Sequence, residues 1–286
     1  MTSELRSSYA ACARVQRRHD PTFYLATRGL PAEVRPAVHA VYAFVRTADE
    51  LVDGRRRPKR PEARRAALDR LEADLMRALA GKPSSSPAIA ALRDAGERHG
   101  LPLDELHVYM DSMRRDCGPV RIASQAELDD YMDGSAATVG RIMAPLLGAA
   151  PPAHESFARL GVAFQLTNFL RDVREDYGLD RIYLPADVRS RYAVGEDQIA
   201  RREATPGFRA VLAVEVDRAR ELFGEAAPAL DAVEPRVRRG MRIARAVYVG
   251  VLDRIEGIGY DVLRRRAGLP PWELCSTALR SVREPS

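Results

Sequence analysis

Apolar and polar positions recur along this chain at steps of three and four residues, and no run of alternating β-branched residues lasts long enough to argue for a sheet. The pattern predicts helices over residues 7–18, 23–30, 31–52, 62–80, 88–99, 103–115 and 125–147. It predicts another through Gln165 and Asp176, then helices over 196–202, 207–223 and 236–257 and a last one beginning near Tyr260. Punctuation supports these boundaries: Pro21 follows His19-Asp20, Gly29 and Pro31 bracket a stop, and GKPSSSP at 81–87 is a turn too short for a domain linker. The fold class is therefore all-α. No repeat and no shift in composition marks a second domain, so residues 1–286 are expected to form one helical bundle.

Two helices carry more than packing. Along 165–176, Gln165, Asn168, Asp172 and Asp176 fall at steps of three, four and four and share one stripe, with Leu166, Phe169 and Val173 on an adjoining apolar arc. Along 31–52 and just beyond, His39, Tyr42, Arg46, Asp49 and Asp53 make a second polar stripe beside Val38, Val41, Phe44 and Val45. Carboxylates one helical turn apart repel each other unless a cation lies between them. Each stripe alone reads either as half of a cation site or as a solvated acidic face, the second with Asp172, Glu175 and Asp176 exposed beside Arg171 and Arg174. Together, Asp49/Asp53 and Asp172/Asp176 offer hard oxygen donors from two walls of a bundle. That arrangement suits Mg²⁺ bridging protein to a diphosphate, because magnesium is held by few carboxylates plus phosphate oxygens. Arg46 and Arg171 stand beside the pairs as phosphate donors, and Tyr42, Tyr131 and Tyr248 are available to a carbocation as π faces or hydroxyls. On the helix over 125–147, Gly134, Ala136, Ala137 and Gly140 permit close packing or leave room for a long apolar substrate.

Composition narrows the picture further. Lys and Arg number 45 against 40 Asp and Glu, and the excess is clustered at 55–60 and 264–266. Such clusters are solvated loop charge or an anionic-lipid contact rather than a nucleic-acid surface. Cys12, Cys117 and Cys275 are widely spaced, with no disulfide framework and no zinc spacing, which fits a reducing cytoplasm. No stretch approaches the ~20 apolar residues a spanning helix needs. Nucleotide P-loop, HExxH and GxSxG patterns are absent, and Gly257-Ile258-Gly259 has Val262 in place of the third glycine of a dinucleotide loop. The histidines show no ligand spacing, and His39 reads as a packed or hydrogen-bonded residue.

Several motifs, in this order, resemble the squalene/phytoene synthase family: FYLATRGLP at 23–31, AVYAFVRTADELVD at 40–53, YMDGSAATVG at 131–140, FQLTNFLRDVREDYGLDRIYLP at 164–185 and DRIEGIGYDVLRRR at 253–266. The resemblance covers nearly the whole chain and is nearest to bacterial phytoene synthases. It implies a single isoprenoid-synthase bundle with a central cavity, holding Mg²⁺ between the two aspartate motifs, with Asn168 sharing the metal. It implies head-to-head condensation of two prenyl diphosphates, geranylgeranyl diphosphate giving phytoene through a cyclopropylcarbinyl diphosphate. It places Arg46, Gln165, Asn168 and Arg171 around the diphosphate, Tyr42, Tyr131 and Tyr248 toward the cavity, and Phe23 along the prenyl chain. The chain departs from the family pattern at Asp20-Pro21, where a diphosphate-contacting serine and lysine are usual, and at Glu50, Arg174, Asp180 and Ile122. Asp20-Pro21 keeps open a relative that delivers one prenyl group to an aromatic acceptor, and a non-catalytic helical scaffold with solvated acidic stripes is the third alternative. The enzyme is expected in the cytoplasm, with peripheral membrane docking through its basic clusters.

Overall fold

The structure is a computed structural model and describes residues 2–270 together with Glu273, Leu274, Ser276 and Thr277. The chain opens with α1 (Ser3–His19), capped by the Thr2 hydroxyl, and turns at Asp20 into α2 (Pro21–Arg28). The next helix, α3 (Arg35–Val52), begins four residues later than the spacing predicts. Pro36 has no N–H to give the carbonyl four residues back, so it is accommodated in a first turn and not inside a helix begun at Pro31. Then come α4 (Pro61–Leu79), α5 (Pro87–His99) and α6 (Glu105–Arg115). Along α4, Leu68 and Leu75 are fully buried as the apolar face requires, while Leu79 at its end is exposed.

A two-residue strand, β1 (Val120–Arg121), precedes the segment expected as one helix over 125–147. That segment is interrupted: α7 (Gln125–Met132) passes into a π-helical turn at Asp133–Ala137 before α8 (Thr138–Leu146). The Thr138 N–H reaches back to the Asp133 carbonyl, five residues away, and the Thr138 hydroxyl takes the Gly134 carbonyl. Next, α9 (His154–Arg171) and α10 (Val173–Gly178) replace the single helix expected through Asp176. Asp172 lies between them at φ −106°, ψ 16°. The break is shallow, since Asp172 N–H still donates to Asn168 O at 2.9 Å and Asp176 N–H to Asp172 O at 2.8 Å. The four-residue spacing that makes the polar stripe therefore survives it.

β2 (Arg181–Ile182) pairs in parallel with β1, Val120 opposite Arg181 and Arg121 opposite Ile182. Strands this short leave no period in the sequence to read. Short α11 (Ala186–Arg191) and α12 (Glu196–Ala200) lead to α13 (Pro206–Glu225), α14 (Pro228–Asp231) and α15 (Pro235–Gly257). No helix starts at Tyr260. That residue and Gly259 both have positive φ, and Tyr260 N–H closes on the Ile255 carbonyl at 2.8 Å, a helix-ending turn. Cys12 and Cys117 are buried free thiols, and Cys275 lies outside the described residues. No helix among the described residues is long and apolar enough to cross a membrane.

The bundle is built around α9, which packs on α8, the π-helical turn and α13, while α3 packs on α1 and α5. Close backbone approaches fix α9 against α8 and the π-helical turn: a Cβ placed on Gly140 would lie 2.3 Å from Phe157 O, and one on Gly161 would lie 2.5 Å from Ala136 O. Glycine is required at both positions because the obstacle is backbone and cannot rotate away.

Candidate active site

Helices α3 and α9 bring the two polar stripes face to face. Arg46, Asp49 and Asp53 from α3 and its end, Gln165, Asn168 and Arg171 from α9, and Asp172 and Asp176 beyond it all line one cavity of about 280 Å³. Tyr131 of α7 lines it too. The four aspartates are half-buried, whereas Glu175 points to solvent, so the solvated-face alternative does not describe Asp172 and Asp176. Next to this polar cavity, along the same helices, runs an apolar pocket whose walls include Phe23, Ala26, Val38, Val139, Gly140, Gly161, Phe164 and Met241. Tyr42 on α3 sets its ring 6.0 Å from that of Phe23, a wall residue of the apolar pocket. Tyr248 lies against Phe164, ring centroids 4.2 Å apart, within hydrogen-bonding reach of Asn168. It opens on a second pocket shared with His19, Asp20 and Arg171.

Electrostatics sets the carboxylates apart from ordinary surface acids. Burial, then the neighbouring Asp53, push Asp49 up to about 7, against the hydrogen bond donated by the Tyr109 hydroxyl at 3.0 Å and the charge of Arg46. Burial raises Asp53, opposed by Arg181 and Arg46. Burial and then Asp172 hold Asp176 well above the carboxylate range. Arg171 grips Asp172 through two bonds, Nε to Oδ1 at 2.7 Å and a terminal nitrogen to Oδ2 at 2.5 Å. Arg46 is bonded to Glu50. Burial also pushes the Tyr248 hydroxyl up to about 12 and keeps it protonated.

The sequence model of the squalene/phytoene synthase family matches residues 16–273. The chain belongs to this family. It is 38% identical over 273 residues to the phytoene synthase of Thermus thermophilus, covering 96% of this chain and 92% of that one. It is 33% identical over 296 residues to the 15-cis-phytoene synthase of Synechococcus elongatus, covering 98% and 94%. Among solved structures, a dehydrosqualene synthase in complex with ligand superposes with a TM-score of 0.88 at 26% identity, covering 97% of this chain and 96% of that one. Squalene synthase HpnC from Alicyclobacillus acidocaldarius does so with a TM-score of 0.81 at 32% identity, covering 91% and 97%. As a member of the squalene/phytoene synthase family the protein is an all-α prenyltransferase.

Within this synthase fold, some expected residues take different roles. The Tyr131 hydroxyl is not presented to the cavity as a free group: it donates to buried Asp116 Oδ2 at 2.6 Å, and the Tyr183 hydroxyl takes Oδ1 of the same carboxylate at 3.0 Å. His39 is buried away from the carboxylates, its Nδ1 paired with Gln16 Oε1 and its ring stacked on Tyr24, and burial depresses it to about 4. Asp20 caps α2, accepting the Phe23 N–H at 2.7 Å, with Pro21 as first helical residue. Asp20-Pro21 is thus a helix start, and by itself it does not argue for a different acceptor.

Four cavity residues were not singled out as functional from the sequence: Tyr109, Asp116, Arg181 and Tyr183. Tyr109 and Asp116 lie seven residues apart on α6 and at its C-cap, a helical repeat that was legible. Arg181 and Tyr183 sit on and just after β2, where no helical period points to them. The Phe169 and Tyr183 rings stack at 3.9 Å, joining α9 to this wall.

Proposed function

We propose that this protein condenses two molecules of geranylgeranyl diphosphate head to head, through a cyclopropylcarbinyl diphosphate, to phytoene. The supporting observation is a polar cavity with two carboxylate pairs and, on the same helices α3 and α9, a separate apolar pocket. That layout separates a diphosphate from its hydrocarbon tail and leaves the reacting carbons between the two. The choice of substrate follows the relatives named phytoene synthase. We take the whole chain, residues 1–286, as one such domain.

The donor set fits Mg²⁺. Asp49, Asp53, Asp172 and Asp176 are hard oxygen ligands; burial raises Asp49, Asp53 and Asp176, with repulsion from a neighbouring aspartate adding to it at Asp49 and Asp176, and a divalent cation relieves both. Among the described residues no three His, Cys, Asp or Glu side chains form a ready-made cage, which suits an ion completed by phosphate oxygens and water. In this reading Asn168, on the lining of the same cavity, shares the ion. When bound, magnesium supplies the positive charge that stabilises the leaving diphosphate. Arg46 and Arg171, each held by a carboxylate, add positive charge beside the diphosphate; Gln165 and Asn168 donate amide hydrogens to it. Phe164, Phe23 and the small residues of α8 and α9 keep water from the carbocation, and the rings of Tyr42 and Tyr248 offer it π faces. A final proton loss, with no reductant, ends the sequence.

Incubation of the purified protein with geranylgeranyl diphosphate and Mg²⁺ is expected to give a forty-carbon hydrocarbon by mass analysis, and none in the presence of chelator. Product that forms only when NADPH is supplied, or diphosphate consumed only when a second acceptor is added, overturns this reaction. Substrate and product are lipophilic, and the clusters at 55–60 and 264–266 are largely exposed. We therefore place the enzyme in the cytoplasm, docked peripherally on anionic membrane. Co-sedimentation with phosphatidylserine vesicles and not with phosphatidylcholine vesicles is expected, and equal recovery with both argues against docking through charge.

A further inference from the structure

Three arginines line the polar cavity, and they are not equivalent. Arg46 is committed to Glu50 and Arg171 to both oxygens of Asp172, so the charge of each is already matched by a carboxylate. Arg181 is only 5% exposed. Among the described residues its guanidinium makes one hydrogen bond, from a terminal nitrogen at 2.9 Å to the neutral backbone carbonyl of Asp116. Its Nε is buried without a partner, as is that of Arg46, so what sets Arg181 apart is the lack of a carboxylate partner. Among the described residues no carboxylate oxygen lies within the 4.0 Å of an ion pair with it, although its field reaches Asp53, Asp116 and Asp176 from both walls. A buried guanidinium with an idle donor and no contact ion pair is costly unless an anion arrives to complete it. Its backbone is meanwhile fixed by the pairing of Arg181 with Val120.

We propose that Arg181 is the cavity arginine that receives a phosphate oxygen of the bound diphosphate directly, while Arg46 and Arg171 first hold their carboxylates in place. This rests on the diphosphate chemistry proposed above and adds a substrate-binding residue to it. The guanidinium fork matches a phosphate in a way a lysine ammonium does not, so the inference separates shape from charge.

The test is a calorimetric titration with inorganic pyrophosphate and Mg²⁺, run alongside turnover of geranylgeranyl diphosphate, on wild type, Arg181→Lys and Arg181→Ala. Both variants are expected to bind pyrophosphate about ten- to a hundredfold more weakly, the range for losing a hydrogen bond to a charged group. Millimolar guanidinium is expected to restore binding and turnover to Arg181→Ala, with methylammonium failing to do so. A melting temperature for Arg181→Lys near that of wild type shows that the loss is not one of folding. Wild-type pyrophosphate affinity in both variants overturns the inference, as does a loss in Arg181→Ala that guanidinium does not restore, or a wild type that binds no pyrophosphate. Arg181-dependent pyrophosphate binding by a wild type that makes no hydrocarbon supports Arg181 and removes the proposed reaction. Hydrocarbon formation with unaltered variants does the reverse.

Discussion

Asp49→Asn is expected to lower turnover by roughly 10³-fold, the scale of removing one electrostatic stabiliser from a closed site, while the protein remains folded. Asparagine keeps an oxygen for the Tyr109 hydroxyl that Asp49 now accepts at 3.0 Å. What it removes is a charge facing Asp53 across one helical turn. The pH dependence follows from the upward shift of Asp49 to about 7. A carboxyl raised on folding favours the folded state while it stays protonated, below its unfolded value, and that contribution is lost as pH rises through the folded value. In chelator, the melting temperature of the wild type is therefore expected to fall between pH 5 and pH 8, and that of Asp49→Asn to fall less. Asp172→Asn should cost as much activity, but it also releases Arg171 from its two-bond grip. Wild-type turnover in either variant removes the metal assignment. A steep loss of stability in Asp49→Asn at pH 8 contradicts the repulsion described for the site.

The largest effect on folding is expected from Gly140→Ala or Gly161→Ala. A methyl group at either position meets a carbonyl oxygen of the opposing helix at 2.3 or 2.5 Å. Alanine is the better helix former by about 1 kcal/mol, so on an isolated helix both changes would be stabilising. Here α9 must move away from α8 or, for Gly161, from the π-helical turn, and overpacking of a rigid contact costs about 1–3 kcal/mol or more, which outweighs the propensity gain. A fall in melting temperature of several degrees is expected, since about 1 kcal/mol corresponds to ~2–4 °C in a domain of comparable size. Both glycines also line the apolar pocket, so the surviving activity should show altered selectivity among prenyl chain lengths. A melting temperature at or above wild type would mean that the helices do not touch as described.

Much of this site was legible in the sequence because helices repeat. Asp49, Asp53, Gln165, Asn168, Asp172 and Asp176 share stripes that a period of three to four residues reveals, and the shallow break at Asp172 leaves that period intact. What stayed hidden has no period. Arg181 and Tyr183 belong to a two-residue strand and the turn after it, and their place opposite Asp53 depends on a pairing with Val120 some sixty positions earlier. The π-helical turn was equally silent, since its i→i−5 bond from Thr138 N–H to Asp133 O changes the helical period over only five residues. Local context also changed the meaning of single residues. Asp20 reads as an anion in a diphosphate site until its bond to the Phe23 N–H shows a cap, and Tyr131 reads as a free hydroxyl until Asp116 is found beneath it.

The pairing of β1 with β2 gives the cavity wall a thermodynamic property of its own. Val120 N–H bonds the Asp180 carbonyl at 3.0 Å, Ile122 N–H the Ile182 carbonyl at 3.3 Å, and Ala186 N–H the Ile122 carbonyl at 2.9 Å. Loops that close over a ligand lose conformational entropy when it binds, which subtracts from affinity. Residues 120–122 and 180–186 are already joined, so the ordering cost of this wall is met at folding. Arg181 and Tyr183 are held in position before any ligand binds, and in the reaction proposed above interaction energy at that wall would be free to act on the diphosphate.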